Sequence, residues 1–251
     1  MQRYFINTSA IKQNQVIISG QDYHHIKNVM RMKPGDQVFV CTEKENSYLV
    51  EITGFSDNKV ILTIVEERNE QVELPLEITI AQGIVRREKT EEVIRRISEL
   101  GANFYLPVMM ERSLVKIKEQ DQKKTNRYQM IAKEASEQSQ RTRIMKIEEP
   151  VSFAELLKLF ENYDLCLVAY EELGRAKDYN LKKILRSFTG KSIIVIIGPE
   201  GGFSPQEIKL LQNTKAKFIG LGPRILRTET APLYVMSVIS YQFGEGETDE
   251  N

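Results

Sequence analysis

The chain has 251 residues, enough for one large domain or two unequal ones. Hydrophobic residues make up 41% and charged residues 28%, the balance of a soluble globular protein rather than a disordered or membrane-spanning one. The formal net charge is zero, so bulk charge argues for no partner, acidic or basic.

Residues 1–72 read as strands. Val38–Val40, Tyr48–Thr53 and Lys59–Val65 are rich in β-branched and aromatic residues, and turn signals at Pro34-Gly35-Asp36 and Ser56-Asp57-Asn58 separate them. A small β-barrel or sheet is expected, with one short helix over Gln21–Met30. Glu66–Glu73 is polar and charged and precedes Pro75, which marks a linker.

Beyond it the grammar changes. Apolar strands are expected at Glu77–Ala81, Phe104–Val108, Asp164–Ala169, Ile193–Ile197 and Phe218–Leu221, alternating with helices. Val93, Ile97 and Leu100 share one face of a helix over Glu88–Leu100. The pairs Glu91/Arg95 and Glu92/Arg96 lie on its wet side, and Gly101 ends it. Tyr128, Ile131, Ala132 and Ala135 form a second apolar stripe. Ser204-Pro205-Gln206-Glu207 has the pattern of a capping box. Alternating strands and helices imply a mainly parallel sheet covered on both faces. The final helix is expected over Ala231–Phe243, with Thr230 as its cap and Pro232 in its first turn.

The charge is uneven along the chain. Gly83–Lys146 carries 15 Lys and Arg against 9 Asp and Glu, which suits an anion such as RNA and equally suits a solvated surface. Cys41 and Cys166 stand far apart without metal-ligand spacing, so a reducing cytoplasm fits. Met1–Phe5 opens without the apolar stretch of a signal peptide, and the run Ile193–Ile197 is far too short to span a bilayer. His24 and His25 are the two histidines, with no carboxylate cluster around them, and no metal site is expected.

Two stretches carry the chemistry. In the first, an apolar strand runs into Gly198-Pro199-Glu200-Gly201-Gly202, just ahead of the helix at Ser204. Loops at the carboxyl ends of parallel strands bind ligands, and paired glycines let a ligand approach the backbone. The Glu200 carboxylate repels phosphate and suits a ligand with hydroxyls, amines or a cationic centre. In the second, Leu221-Gly222-Pro223-Arg224-Ile225-Leu226-Arg227-Thr228-Glu229-Thr230-Ala231, apolar Ile225 and Leu226 sit among charges. They suit the faces of an adenine ring, or packing of the loop on its own domain.

These two stretches resemble the signature loops of the 16S rRNA (uracil(1498)-N3)-methyltransferase family, within the SPOUT (trefoil-knot) superfamily. Arg3-Tyr4-Phe5, His24–Arg31 with Gly35-Asp36, Ser98-Glu99-Leu100-Gly101 with Pro107, and Glu137–Arg141 extend the resemblance over nearly the whole chain. It implies a PUA-like β-barrel RNA-binding domain over residues 1–72 and a knotted SPOUT-like methyltransferase domain over residues 73–251. It also implies S-adenosylmethionine as cofactor, 16S rRNA in the small ribosomal subunit as substrate, and a homodimer formed through the knotted domain.

The implied cofactor contacts are Tyr170, Ile197, Gly198, Pro199, Glu200, Gly201, Gly202, Leu221, Gly222, Pro223, Ile225, Leu226, Arg227, Glu229, Thr230 and Ala231. Methylating uracil N3 requires loss of its proton and support for the anion. Arg141 and Arg227 are the candidates for the anion, and Glu200 or Glu229 for the proton. RNA contacts are expected at Arg3, His24, Arg31, Arg86, Arg87 and Arg143. Arg86-Arg87 stands where relatives often carry Lys-Gly. A knotted methyltransferase for another nucleotide and a non-catalytic ribosome assembly factor are the rival readings.

Overall fold

The computed structural model describes residues 1–115, 122–175 and 180–244. The sequence of the Gly- and acid-rich tail, Gly244–Asn251, leads one to expect fraying, and all of that stretch but Gly244 lies outside the described residues. The chain forms two compact units. Met1–Glu73 joins Ser136–Ile144 in the first, and the second is the rest of the described chain from Leu74.

The first unit holds β1 (Arg3–Ile6), β2 (Ile11–Lys12), β3 (Gln15–Ser19), α1 (Gly20–His24), β4 (Gln37–Thr42), β5 (Ser47–Ser56) and β6 (Lys59–Arg68). Its sheet runs in the order β1-β4-β5-β6-β3-β2. β1 is parallel to β4 and the other pairs are antiparallel. The β5–β6 hairpin turns on Asp57 (φ 48°) and Asn58 (φ 59°), the two left-handed residues that a tight turn between right-twisted strands requires. Alternate residues such as Val38, Val40, Val50, Ile52, Val60 and Leu62 fill one core with Tyr4, Ile18 and Ile26.

Two expectations change here. The single helix over Gln21–Met30 is α1 followed by a π-helical turn, His25–Val29, closed by Met30 N donating to His25 O at 2.8 Å. The wider turn sets Ile26 fully inside the core. Glu66–Glu73 is not a free linker. β6 runs on to Arg68, and Glu70 and Glu73 accept hydrogen bonds from buried arginines that need a carboxylate.

The second unit holds β7 (Glu77–Gly83), α2 (Arg87–Glu99), β8 (Phe104–Met109), α3 (Gln122–Gln138, its last turn in the first unit), β9 (Lys146–Ile147), β10 (Val151–Ser152), α4 (Phe153–Leu159), β11 (Leu165–Ala169), α5 (Glu171–Arg175), α6 (Leu181–Arg186), β12 (Ser192–Ile197), α7 (Pro205–Gln212), β13 (Lys217–Ile219) and α8 (Ala231–Gly244). The strand order is β10-β8-β7-β12-β11-β13, β9 also pairs with β8, and all pairings are parallel. The expected doubly covered parallel sheet is present. Ile194 and Ile196 of β12 face Leu156 of α4 and Leu211 of α7, while α8 packs across β12 and against α2.

On α2 the expected ion pairs are replaced. Glu91 binds Arg87 at 2.7 Å and Arg127 of α3, and Arg96 reaches Glu99 at 3.1 Å. A second helix supplied the better partner for Glu91. Ser204 does cap α7: its side chain accepts from Glu207 N at 3.2 Å, and Glu207 Oε2 accepts from Ser204 N at 2.8 Å. Among the described residues, no helix is long and apolar enough to cross a membrane.

Candidate active site

Three loops leave the carboxyl ends of β11, β12 and β13 on the same edge of the parallel sheet. They enclose a cavity of about 460 Å³. Every residue from Ile197 to Gly202 lines it, as do Tyr170, Leu221, Gly222, Ile225, Leu226, Arg227, Glu229 and Ala231. Two expected contacts, Pro223 and Thr230, are exposed and are not in the wall.

The backbone explains the glycines. Gly202 turns the first loop with φ 67° and donates its amide to Pro199 O at 2.9 Å. A Cβ on Gly201 would stand 2.9 Å from both Cβ and O of Arg112. The segment after β8 therefore clasps this loop. Arg112 Nη1 donates to Gly201 O at 3.3 Å, and Glu111 N donates to the buried Glu207 at 2.9 Å.

The second loop is fastened by a buried polar chain. Tyr105 OH donates to Gln82 Oε1 at 3.1 Å. Gln82 Nε2 donates to Thr228 O at 2.7 Å and to Thr228 Oγ1 at 3.0 Å. Thr228 Oγ1 then donates to Gly198 O at 2.7 Å. Burial is complete around Gln82, and it pushes the Tyr105 phenol well above its ordinary range, so that hydroxyl stays protonated and donates.

Charge is concentrated at one point. Lys89 Nζ lies 3.0 Å from Glu229 Oε2 and 3.4 Å from Glu200 Oε1. The hydrogen bond with Glu229 raises the Lys89 pKa above the usual lysine value. Burial pushes Glu229 up, but its own backbone amide and Lys89 outweigh this and leave it below the usual carboxylate range. Glu200 Oε2 is buried and has no hydrogen-bond partner among the described residues. Ile225 is 59% exposed, an aliphatic side chain left uncovered in the cavity wall.

Gln82, Lys89, Arg112 and Thr228 were not singled out in the sequence. A polar residue ending an apolar strand is a signal for Gln82, because buried polar groups need partners. For Lys89, the signal is a cation in the first turn of a helix, where it opposes the helix dipole and calls for carboxylates.

The other expected residues lie elsewhere. Arg141 belongs to the first unit, 4% exposed, with Nη2 on Glu73 Oε2 at 2.6 Å. Arg3 is buried in the same unit and donates to Glu70 at 2.6 Å, to Cys41 Sγ and to Arg141 O at 3.1 Å. Arg143 pairs with Glu45 at 2.8 Å. His24 and Arg31 are exposed on the first unit. Arg86 and Arg87 are exposed at the start of α2, where Arg87 binds Glu91.

Comparison with known proteins agrees with this geometry. The RNA methyltransferase domain family matches residues 72–240, and the RNA methyltransferase PUA domain family matches residues 18–65. The ribosomal RNA small subunit methyltransferase E of Bacillus subtilis is 40% identical over 248 residues, covering 96% of this chain and 97% of that protein. The chain belongs to the ribosomal RNA small subunit methyltransferase E family.

Structures of similar proteins share this fold. A Legionella pneumophila protein solved with bound SAM superposes with a TM-score of 0.83 at 29% identity, covering 95% of this chain and 96% of that one. The ribosomal RNA small subunit methyltransferase E of Neisseria gonorrhoeae gives 0.84 at 24% identity over 97% and 98%, a likeness of fold. The family fold is thus an N-terminal PUA-like β domain followed by a parallel-sheet SPOUT methyltransferase domain.

Proposed function

We propose that this chain transfers a methyl group from S-adenosylmethionine to N3 of a specific uridine in 16S rRNA, within the small ribosomal subunit and in the cytoplasm. The observation that carries the reading is that both signature loops, with the loop after β11, line one cavity in which Glu200 and Glu229 gather on Lys89.

The residues fit the cofactor. A cavity of about 460 Å³ lies within the ~300–1,000 Å³ range of small-molecule sites. The buried Glu200 Oε2, with no hydrogen-bond partner among the described residues, calls for an N–H or O–H donor inside the cavity. Ile225 and Leu226 offer aliphatic cover to a flat ring. When bound, the cofactor supplies a methyl group on a cationic sulfur.

The chain's own residues must then deprotonate and orient the base. Glu200 or Glu229 accepts the N3 proton. Arg227, its side chain 84% exposed at the cavity wall, meets the uracil oxygens as negative charge develops. Arg141, the other arginine expected in that role, is already held by Glu73.

Two copies pair through the knotted second unit in this reading. Tyr234 and Tyr241, 40% and 72% exposed and two helical turns apart on α8, support such a face. Sedimentation of the purified chain at twice the monomer mass tests it.

The deciding experiment incubates the chain with 30S particles from a strain lacking it and maps the modified base. One methylated uridine, blocked to pairing at N3, is expected. A methyl group on another base or on no base overturns the reading.

A further inference from the structure

Lys89 sits in the first turn of α2, where an ammonium opposes the positive end of the helix. Its partners come from the two signature loops, Glu229 at 3.0 Å and Glu200 at 3.4 Å. The two carboxylates are not equivalent. Glu229 is the closer partner, while Glu200 keeps one buried oxygen, Oε2, with no partner among the described residues.

We propose that Lys89 is a positioning residue for methyl transfer: its ammonium holds the Glu200 and Glu229 side chains together, so that Glu200 Oε2 is the atom that takes the proton from uracil N3. This rests on the reading of the cavity as the methyl-transfer site. In the step, the N3–H bond breaks, its electron pair stays on N3, and the proton forms an O–H bond on Glu200. Uracil becomes the anion and Glu200 becomes neutral, while Glu229 stays ionised on Lys89. Without that ammonium, two neighbouring carboxylates raise each other's pKa, so the pair takes up its first proton at a higher pH than with Lys89 in place.

Arg112, Tyr170, Glu171, Glu172, Arg224 and Arg227 border the same cavity and also set its potential. They are common to the wild type and the variants, so a difference between profiles isolates Lys89. The full-length chain, Lys89→Met, Lys89→Gln and Lys89→Arg are compared for kcat/KM against pH on unmodified 30S particles, with SAM affinity and melting curves recorded beside them.

The Lys89→Met and Lys89→Gln acid limbs should move to higher pH by about one unit or more. The Lys89→Arg limb should return toward wild type. Glu200→Gln should lose the limb along with most of the activity. An unchanged limb with a uniform loss of rate in any neutral variant that folds, or a Glu200→Gln enzyme that keeps the limb, overturns the proposal. Should wild type methylate no base in the particle, the proposed function fails instead, and the two failures are told apart.

Discussion

Thr228 Oγ1 donates to the carbonyl oxygen of Gly198 at 2.7 Å, so one hydroxyl joins the loop after β13 to the loop after β12. The Thr228 hydroxyl in turn accepts from Gln82 Nε2, near the end of β7. Thr228→Val keeps the shape and removes the hydroxyl. It leaves Gly198 O without this donor, at a cost of about 1–3 kcal/mol. Urea unfolding should show that loss, calorimetry should show weaker SAM binding, and Thr228→Ser should restore most of both.

Gly83→Ala tests the packing behind the same loop. A Cβ there would stand 2.5 Å from Pro199 Cδ and 2.7 Å from Pro199 N, and the backbone neighbour cannot simply rotate away. The Pro199 turn must shift, and SAM affinity should fall at least tenfold, with a lower melting temperature. Unaltered binding in calorimetry would show that the loop yields freely.

Glu73→Gln probes the first unit. Glu73 receives both sides of the Arg141 guanidinium and the backbone amides of Thr142 and Arg143. Arg141 is 4% exposed, so removing the charge takes its carboxylate from a buried cation, and about 3 kcal/mol of stability should be lost in urea unfolding. The Arg141→Ala variant should lose stability too. Its kcat must therefore be measured under conditions where a melting curve shows it folded.

The pair of arginines on Glu91 gives a pH test. Hydrogen bonding by Arg127, then Arg87, lowers the Glu91 carboxyl to about 2. A depressed carboxylate stabilises the fold above its unfolded value and loses that contribution as pH falls toward the folded one. The Glu91→Gln variant should therefore be less stable than wild type at pH 7, by up to about 1 kcal/mol because the arginines are half-exposed. The difference should shrink between about pH 4.5 and 2.

The cavity's two loops were legible because their grammar is local: a strand, a Gly-rich turn, then Ser204 and Glu207 to start a helix. The function came from resemblance, since physics alone left several small ligands open. What stayed hidden joins residues far apart in the chain. Gln82 and Thr228 are 146 residues apart, and Arg141 and Glu73 are 68 apart. No periodicity reports such pairs. The π-helical turn after α1 was equally hidden, because its apolar spacing imitates an ordinary helix.

The order in which the cavity's walls appear along the chain has a consequence for synthesis. One wall, Leu221–Ala231, is made after the strands that support it, and it is anchored by Thr228 to a loop made some thirty residues earlier. A nascent chain that stops at β13 contains Lys89 and Glu200 but lacks Glu229, Thr228 and the aliphatic cover of Ile225. In this reading, competence to hold the cofactor is acquired only once synthesis has passed Ala231, and a ribosome-tethered chain cut short at β13 should ignore SAM even with the rest of its sheet formed.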